Sequence, residues 1–134
     1  MDGGRLPDDH PWAIVARGGA VALTLAVIAA SVGPVQWLPR LLYSNNLEHF
    51  AAFYVLALAF AAARYRTSLR RVLVDIAGLA TALEVARWLL PGPRMGNFNH
   101  WIADLGGILA FGAPVVVVAF RRGFRHAAPL DRDA

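Results

Sequence analysis

The sequence predicts an all-α integral membrane protein, a bundle of four transmembrane helices with both termini cytoplasmic. Three observations carry this. Of the 134 residues, 57% are apolar and 16% charged, too little polar surface to coat a soluble domain. Apolar runs close to the ~20 residues that a hydrocarbon core requires recur along the chain, separated by short polar segments. The arginines gather beside those runs, dense in one segment and sparse in the next.

The length allows one domain, covering residues 1–134, with spans expected at about 13–33, 47–63, 70–90 and 100–120. The first lies in the uncharged run from Gly18 to Pro39 and ends near Gly33-Pro34. With Arg5 and Arg17 before it and Ala29-Ala30-Ser31 inside it, this run also has features of a cleaved signal peptide. Its length, and Asp8 and Asp9 upstream, favour a retained helix. The second span opens with Glu48 and His49. The third contains Asp75, Glu84 and Arg87 and stops at Pro91-Gly92-Pro93, because proline lacks the donor and clashes with the preceding turn. The fourth runs from Trp101 to Phe120 with Asp104 in its first turn.

Orientation follows from arginine placement. Arg5 and Arg17 precede the first span. Arg64, Arg66, Arg70 and Arg71 join the second to the third, and Arg121, Arg122, Arg125 and Arg132 follow the fourth. The opposite side has Arg40 and Arg94, with Arg87 near a helix end. Both termini are therefore expected in the cytoplasm, and the loops Pro34 to Asn46 and Pro91 to Asn99 outside. All thirteen basic residues are arginine, which fits a GC-rich bacterial genome, so a multi-pass protein of the bacterial cytoplasmic (inner) membrane is expected. The net charge of +4 comes from clusters flanking apolar runs rather than from a phosphate-tracking groove, so no nucleic-acid partner is expected. The absence of cysteine excludes disulfides and thiolate metal sites. The sequence contains no Gly-rich phosphate loop, and nothing in it calls for a cofactor.

The unusual polar residues fall together. His49 opens the second span, Glu84 and Arg87 lie in the outer third of the third, Arg94 follows it, and His100 and Asp104 open the fourth. Topology puts all six near the outer leaflet. Ionisable groups in membrane helices are costly unless paired or facing a wet cavity, so the set His49, Glu84, Arg87, Arg94, His100 and Asp104 is a candidate ligand site. Glu84 and Arg87 are three residues apart, and His100 and Asp104 four, so each pair shares a helix face. Ala103 with Gly107, and Gly78 with Ala82, are small-residue spacings that permit close helix approach. Asp75 lies half a turn out of phase with Glu84 and about 13 Å away. It belongs to the cytoplasmic end, where Arg71 or Arg66 is expected to neutralise it. His49, Glu84, His100 and Asp104 would suit zinc, but Arg87 and Arg94 would repel it. No metal is expected. The occupant expected is an anion such as a lipid phosphate or a peptide carboxylate. A plainer reading makes Glu84 and Arg87 an intrahelical ion pair, Trp88 and Trp101 interfacial belt residues, and Phe50, Phe53 and Tyr54 packing or lipid contacts.

The same residues carry a family resemblance. Asn45-Asn46-Leu47-Glu48-His49-Phe50, followed by Ala51-Ala52-Phe53, resembles the VanZ-like pattern of an Asp-Lys pair, two variable residues and His-Phe. Glu84-Val85-Ala86-Arg87, then Leu90-Pro91-Gly92-Pro93-Arg94, resembles that family's Glu-x-x-Gln segment and Pro-Gly-Arg turn. His100 to Gly107 resembles its Asp-x-x-x-Asn-x-x-Gly helix start. Asn45, Asn46, Arg87, His100 and Asp104 depart from the family residue, whereas His49, Glu84, Arg94 and Gly107 match it. The likeness runs in order from about Val32 to Phe120. It implies a polytopic membrane protein of the cell envelope whose founding relatives raise resistance to teicoplanin, a glycopeptide that targets lipid-linked cell-wall precursors. The expected partners are accordingly membrane lipids or such a precursor. Four short spans offer little room for a transport path unless the chain forms a homo-oligomer.

Arg94, five residues, His100, three residues and Asp104 is also similar to the last motif of type 2 phosphatidic acid phosphatases. That likeness implies His100 as nucleophile, Asp104 as its orienting carboxylate and Arg94 as a phosphate ligand; on this reading His49 would be the general acid and Arg87 a second phosphate ligand. The Lys-containing first motif and the Ser-Gly-His motif of those enzymes are absent. The leading expectation is binding of an anionic lipid-linked group. The alternative is a lipid-phosphate phosphatase or phosphotransferase with catalytic candidates His100, Asp104 and His49.

Overall fold

The computed structural model describes residues 10–33, 42, 44–90 and 96–127, the last five as helical backbone. These form four helices: α1 (Pro11–Val32), α2 (Asn45–Ala63), α3 (Leu69–Leu89) and α4 (Phe98–Ala127). Three of the starts have a local cause. Pro11 sits at the first position of α1, where its missing donor is not needed, and the His10 side chain accepts from the Trp12 amide. Glu48, in the first turn of α2, reaches back to accept from the Leu42 amide at 2.8 Å. Asn97 caps α4, its Oδ1 accepting from the Asn99 amide at 2.9 Å. α4 therefore begins before the expected Trp101, and Asp104 lies in its second turn rather than its first.

α1, α2 and the segment Phe98–Arg122 of α4 are long and apolar enough to cross a membrane. α3 has similar length, but Arg70, Arg71, Asp75, Glu84 and Arg87 make it more polar than the other three. It still packs among them. Val72, Ile76, Ala80 and Leu83 form its buried stripe and join Val27 of α1, Phe53, Leu56 and Ala57 of α2, and Ile108 of α4 in one core. Outside that core the surface is apolar: Val21, Leu25, Val55, Leu58, Leu109 and the run Val115–Val118 are exposed. Apolar exposure on this scale suits a lipid surround.

The most extensive helix contact is between α2 and α4. Gly107 makes it, because a side chain there would collide with the Phe50 carbonyl and approach the Tyr54 amide to 3.0 Å. The small-residue spacing at Ala103 and Gly107 thus serves packing as expected. The one at Gly78 and Ala82 does not, since Gly78 faces open space and Ala82 is exposed. Phe53 is buried in the core, and Tyr54 is exposed with its ring edge-on to Phe111.

Candidate functional site

Three helix ends and the cap of α4 meet at one end of the bundle, where the polar residues gather in two adjoining networks. In the first, His49 Nδ1 lies 2.8 Å from Asp104 Oδ1. Asp104 is 1% exposed, and the His49 side chain 14%. An ionised carboxylate only accepts, so His49 donates from Nδ1 and keeps Nε2 as its second functional atom. The His100 ring stacks on that of His49, with centroids 4.5 Å apart and planes 9° apart. Asn45 Nδ2 donates to His100 Nε2 at 2.8 Å, which makes Nδ1 the protonated nitrogen of a neutral His100.

In the second network Glu84 Oε2 accepts from Arg87 Nη1 at 2.8 Å, and Glu84 Oε1 accepts from the Asn97 amide. Arg87 Nη2 donates to Ser31 Oγ on α1 at 3.0 Å. All three side-chain partners are buried. Asn97 has a reciprocal cap, its side chain serving the α4 amides while its own amide is taken by a glutamate, here from α3 instead of the same helix. The two networks join in the first turn of α4, where the His100 amide donates to the Asn97 carbonyl at 2.9 Å.

His49, Glu84, Arg87, His100 and Asp104 therefore meet at one end of the bundle, while Arg94 lies outside the described residues. Two pairings define the site further. Arg87, one of the expected ligand residues, is buried and makes the intrahelical pair with Glu84, its other terminal nitrogen bonded to Ser31. Asp104, implied as the partner of His100, instead bonds to His49. Among the described residues no group of three or more His, Cys, Asp or Glu is placed to hold a metal ion. Asp75, expected beside Arg71 or Arg66, pairs with Arg64 at 2.5 Å. Trp88 is exposed, as a belt residue would be, whereas Trp101 is half-buried and donates to Thr81 Oγ1 at 3.1 Å.

Sequence reasoning missed Asn45, Ser31 and Asn97 as site residues. Asn45 had a usable signal, since it lies one turn before His49 on the same helix face. Asn97 had a weaker one, a capping residue type ahead of an apolar run. Ser31 carried none that separates it from other small polar residues in membrane helices. No family model, curated protein or solved structure matches this chain.

Proposed function

We propose that this is a four-span protein of a bacterial cytoplasmic membrane, with both termini inside, that binds an anionic lipid-linked group at an outer-leaflet site built on His49 and His100. Pairing of its charges supports α3 as the fourth span. Glu84 and Arg87 neutralise each other in the interior, and Asp75 and Arg64 do so at the other end. Arginine density supports the orientation, which brings the paired histidines to the outer side.

The observation that carries the binding reading is the stacked histidine pair, with His49 held by Asp104 and His100 by Asn45. Neutral His100 offers an N–H donor, and His49 Nε2 is a base when neutral and a second donor when protonated. A phosphate or pyrophosphate that is partly protonated near neutrality needs that combination. The resemblance to VanZ-like proteins points to a lipid-linked cell-wall precursor as the source of the group, and through it to glycopeptide resistance. The test is saturable binding of undecaprenyl pyrophosphate to the detergent-purified protein. His100→Asn and Asn45→Ala should each weaken it, and binding unchanged in both variants would overturn the site.

The His49–Asp104 pair favours a second, catalytic reading. A buried carboxylate that fixes one imidazole tautomer is the arrangement of a general acid–base pair. Protonated His49 would give its Nε2 proton to the leaving oxygen while His100 Nε2, released from Asn45, attacks phosphorus and the phosphorus–oxygen bond breaks. Water would then hydrolyse the phosphohistidine.

A further inference from the structure

The first two turns of α4, which carry His100 and Asp104, are fastened to α3 at two points. At the start, the Asn97 amide donates to Glu84 Oε1. One turn on, Trp101 Nε1 donates to Thr81 Oγ1 at 3.1 Å. Asn97 and Trp101 are four residues apart and lie on one side of α4, and Thr81 and Glu84 are three apart and share one face of α3. The two bonds are therefore successive rungs between antiparallel helices. The Thr81 hydroxyl gives its one proton to the Ala77 carbonyl at 2.9 Å, which leaves an oxygen lone pair for the indole, a group that only donates. The Phe98 ring, its centre 5.3 Å from that of Trp101, braces the indole from the turn before.

One rung would fix where α4 starts but leave it free to roll. A second on the same side stops the roll, and the roll decides where the histidine site points. His100 precedes Trp101 by one residue and Asp104 follows it by three, so at 3.6 residues per turn they lie about 100° and 60° round the helix, to the same side. That side meets α2, where His49 bonds to Asp104 and stacks on His100. A roll of about 20° carries a side-chain atom about 2 Å at the radius of a helix surface. That is enough to break the 2.8 Å bonds of His49 to Asp104 and of Asn45 to His100, and to part the stacked rings. Thr81 is exposed and acts on His100 through the neighbouring Trp101.

We propose that Thr81 is a positioning residue of the histidine site, setting through Trp101 the rotation of α4 that brings His100 over His49. Its bearing on affinity rests on the binding reading above, whereas the ring contact is measured without ligand.

The experiment joins two readouts on the detergent-purified full chain: the nuclear Overhauser contact between the His49 and His100 rings, and binding of undecaprenyl pyrophosphate. Thr81→Val removes the hydroxyl at nearly constant shape. It should weaken the ring contact and lower affinity about three- to fivefold, the scale of one hydrogen bond between membrane helices, with helical circular dichroism unchanged. Thr81→Ser restores the acceptor and should restore both readouts. Thr24→Val is the control, because the Thr24 hydroxyl makes the same back-bond, to the Ala20 carbonyl at 2.7 Å, and it should leave both readouts at wild-type values. Where Thr81→Val loses helicity, Trp101→Phe cuts the same bond from α4 and should give the same two losses. A ring contact of wild-type strength in Thr81→Val or Trp101→Phe would overturn the proposal, whatever the affinity, and so would an equal loss in Thr24→Val. A wild type that does not bind the lipid, with the ring contact still lost in Thr81→Val, would overturn the binding reading and leave the positioning role in place.

Discussion

His49 donates from Nδ1 to Asp104 Oδ1 at 2.8 Å across the α2–α4 interface, joining residues 55 positions apart in the chain. The carboxylate is buried, so removing either partner leaves the other poorly satisfied in a region of low dielectric. His49→Ala should destabilise the protein by about 3–5 kcal/mol because it strands a buried charge. Asp104→Asn keeps an acceptor and should lose only about 1–2 kcal/mol. Denaturant unfolding in micelles measures both. The double variant His49→Ala with Asp104→Asn should fall well short of the sum of the singles, and additive values would mean the pair is not coupled.

Glu84 and Arg87 make a different prediction, because their network ties three elements together. Arg87→Met removes the bonds to Glu84 and to Ser31 of α1, leaving a buried carboxylate whose remaining bond is from the Asn97 amide. The expected loss is about 3–5 kcal/mol. Adding Glu84→Gln should restore part of it, since the amide carries no charge and its oxygen can still accept from Asn97. Ser31→Ala should remove about 1 kcal/mol. If Arg87→Met matches Ser31→Ala in stability, the pair is a peripheral ion pair and not a clamp.

How much of this was legible in the sequence depends on the range of each interaction. Hydropathy and arginine spacing located the helices because both act through local runs of residues. The convergence of His49, Glu84, His100 and Asp104 on one end was legible because antiparallel connectivity fixes which helix ends are neighbours. Which atoms pair was not legible. Asp104 lies one turn from His100 on its own helix, and sequence spacing favours that partner. The close approach of α2 to α4 at Gly107 instead brings His49 within reach of the carboxylate. The pairing of Arg87 was illegible for a related reason. A buried arginine and an arginine at a ligand site look alike until the bond from Arg87 to Ser31 shows the guanidinium facing α1.

Gly107 and Gly78 should separate sharply in a stability assay. Gly107→Ala forces apart the backbones of α2 and α4 and should destabilise by about 1–3 kcal/mol, with the His49–Asp104 bond strained as a consequence. Gly78→Ala meets nothing within 4 Å and replaces a poor helix former, so it should be neutral or stabilise by up to about 1 kcal/mol. Destabilisation by Gly78→Ala would point to a second chain packed on α3.

Orientation is checked by reporter fusions. Fusions after Ala134 and beside Arg66 should report a cytoplasmic location, and one within residues 91–99 an external one. Arginine density on the two sides drives this expectation. An external C-terminus would mean either that α3 does not cross, which would separate His49 from His100, or that all four spans are inverted and the histidine site is cytoplasmic.

Catalysis and binding part company at His100 and Asp104. If the site only binds, His100→Asn keeps a side-chain donor and should reduce affinity for a lipid pyrophosphate modestly, while wild type releases no phosphate. If it catalyses, His100→Asn must abolish turnover, since an amide cannot form the phosphoryl intermediate. Asp104→Asn adds a second discriminator. The carboxylate is bonded to His49, so its loss should impair proton transfer to the leaving group while leaving nucleophilic attack by His100 in place. A catalytic site would then show Asp104→Asn slowing turnover most for poor leaving groups and least for a nitrophenyl phosphate. The measurement is phosphate release from undecaprenyl pyrophosphate and from a nitrophenyl ester by the purified protein. We expect binding without release, because Arg87 is held by Glu84 and Ser31 instead of facing a transferring phosphoryl group. Release that disappears in His100→Asn would replace that expectation with the enzyme.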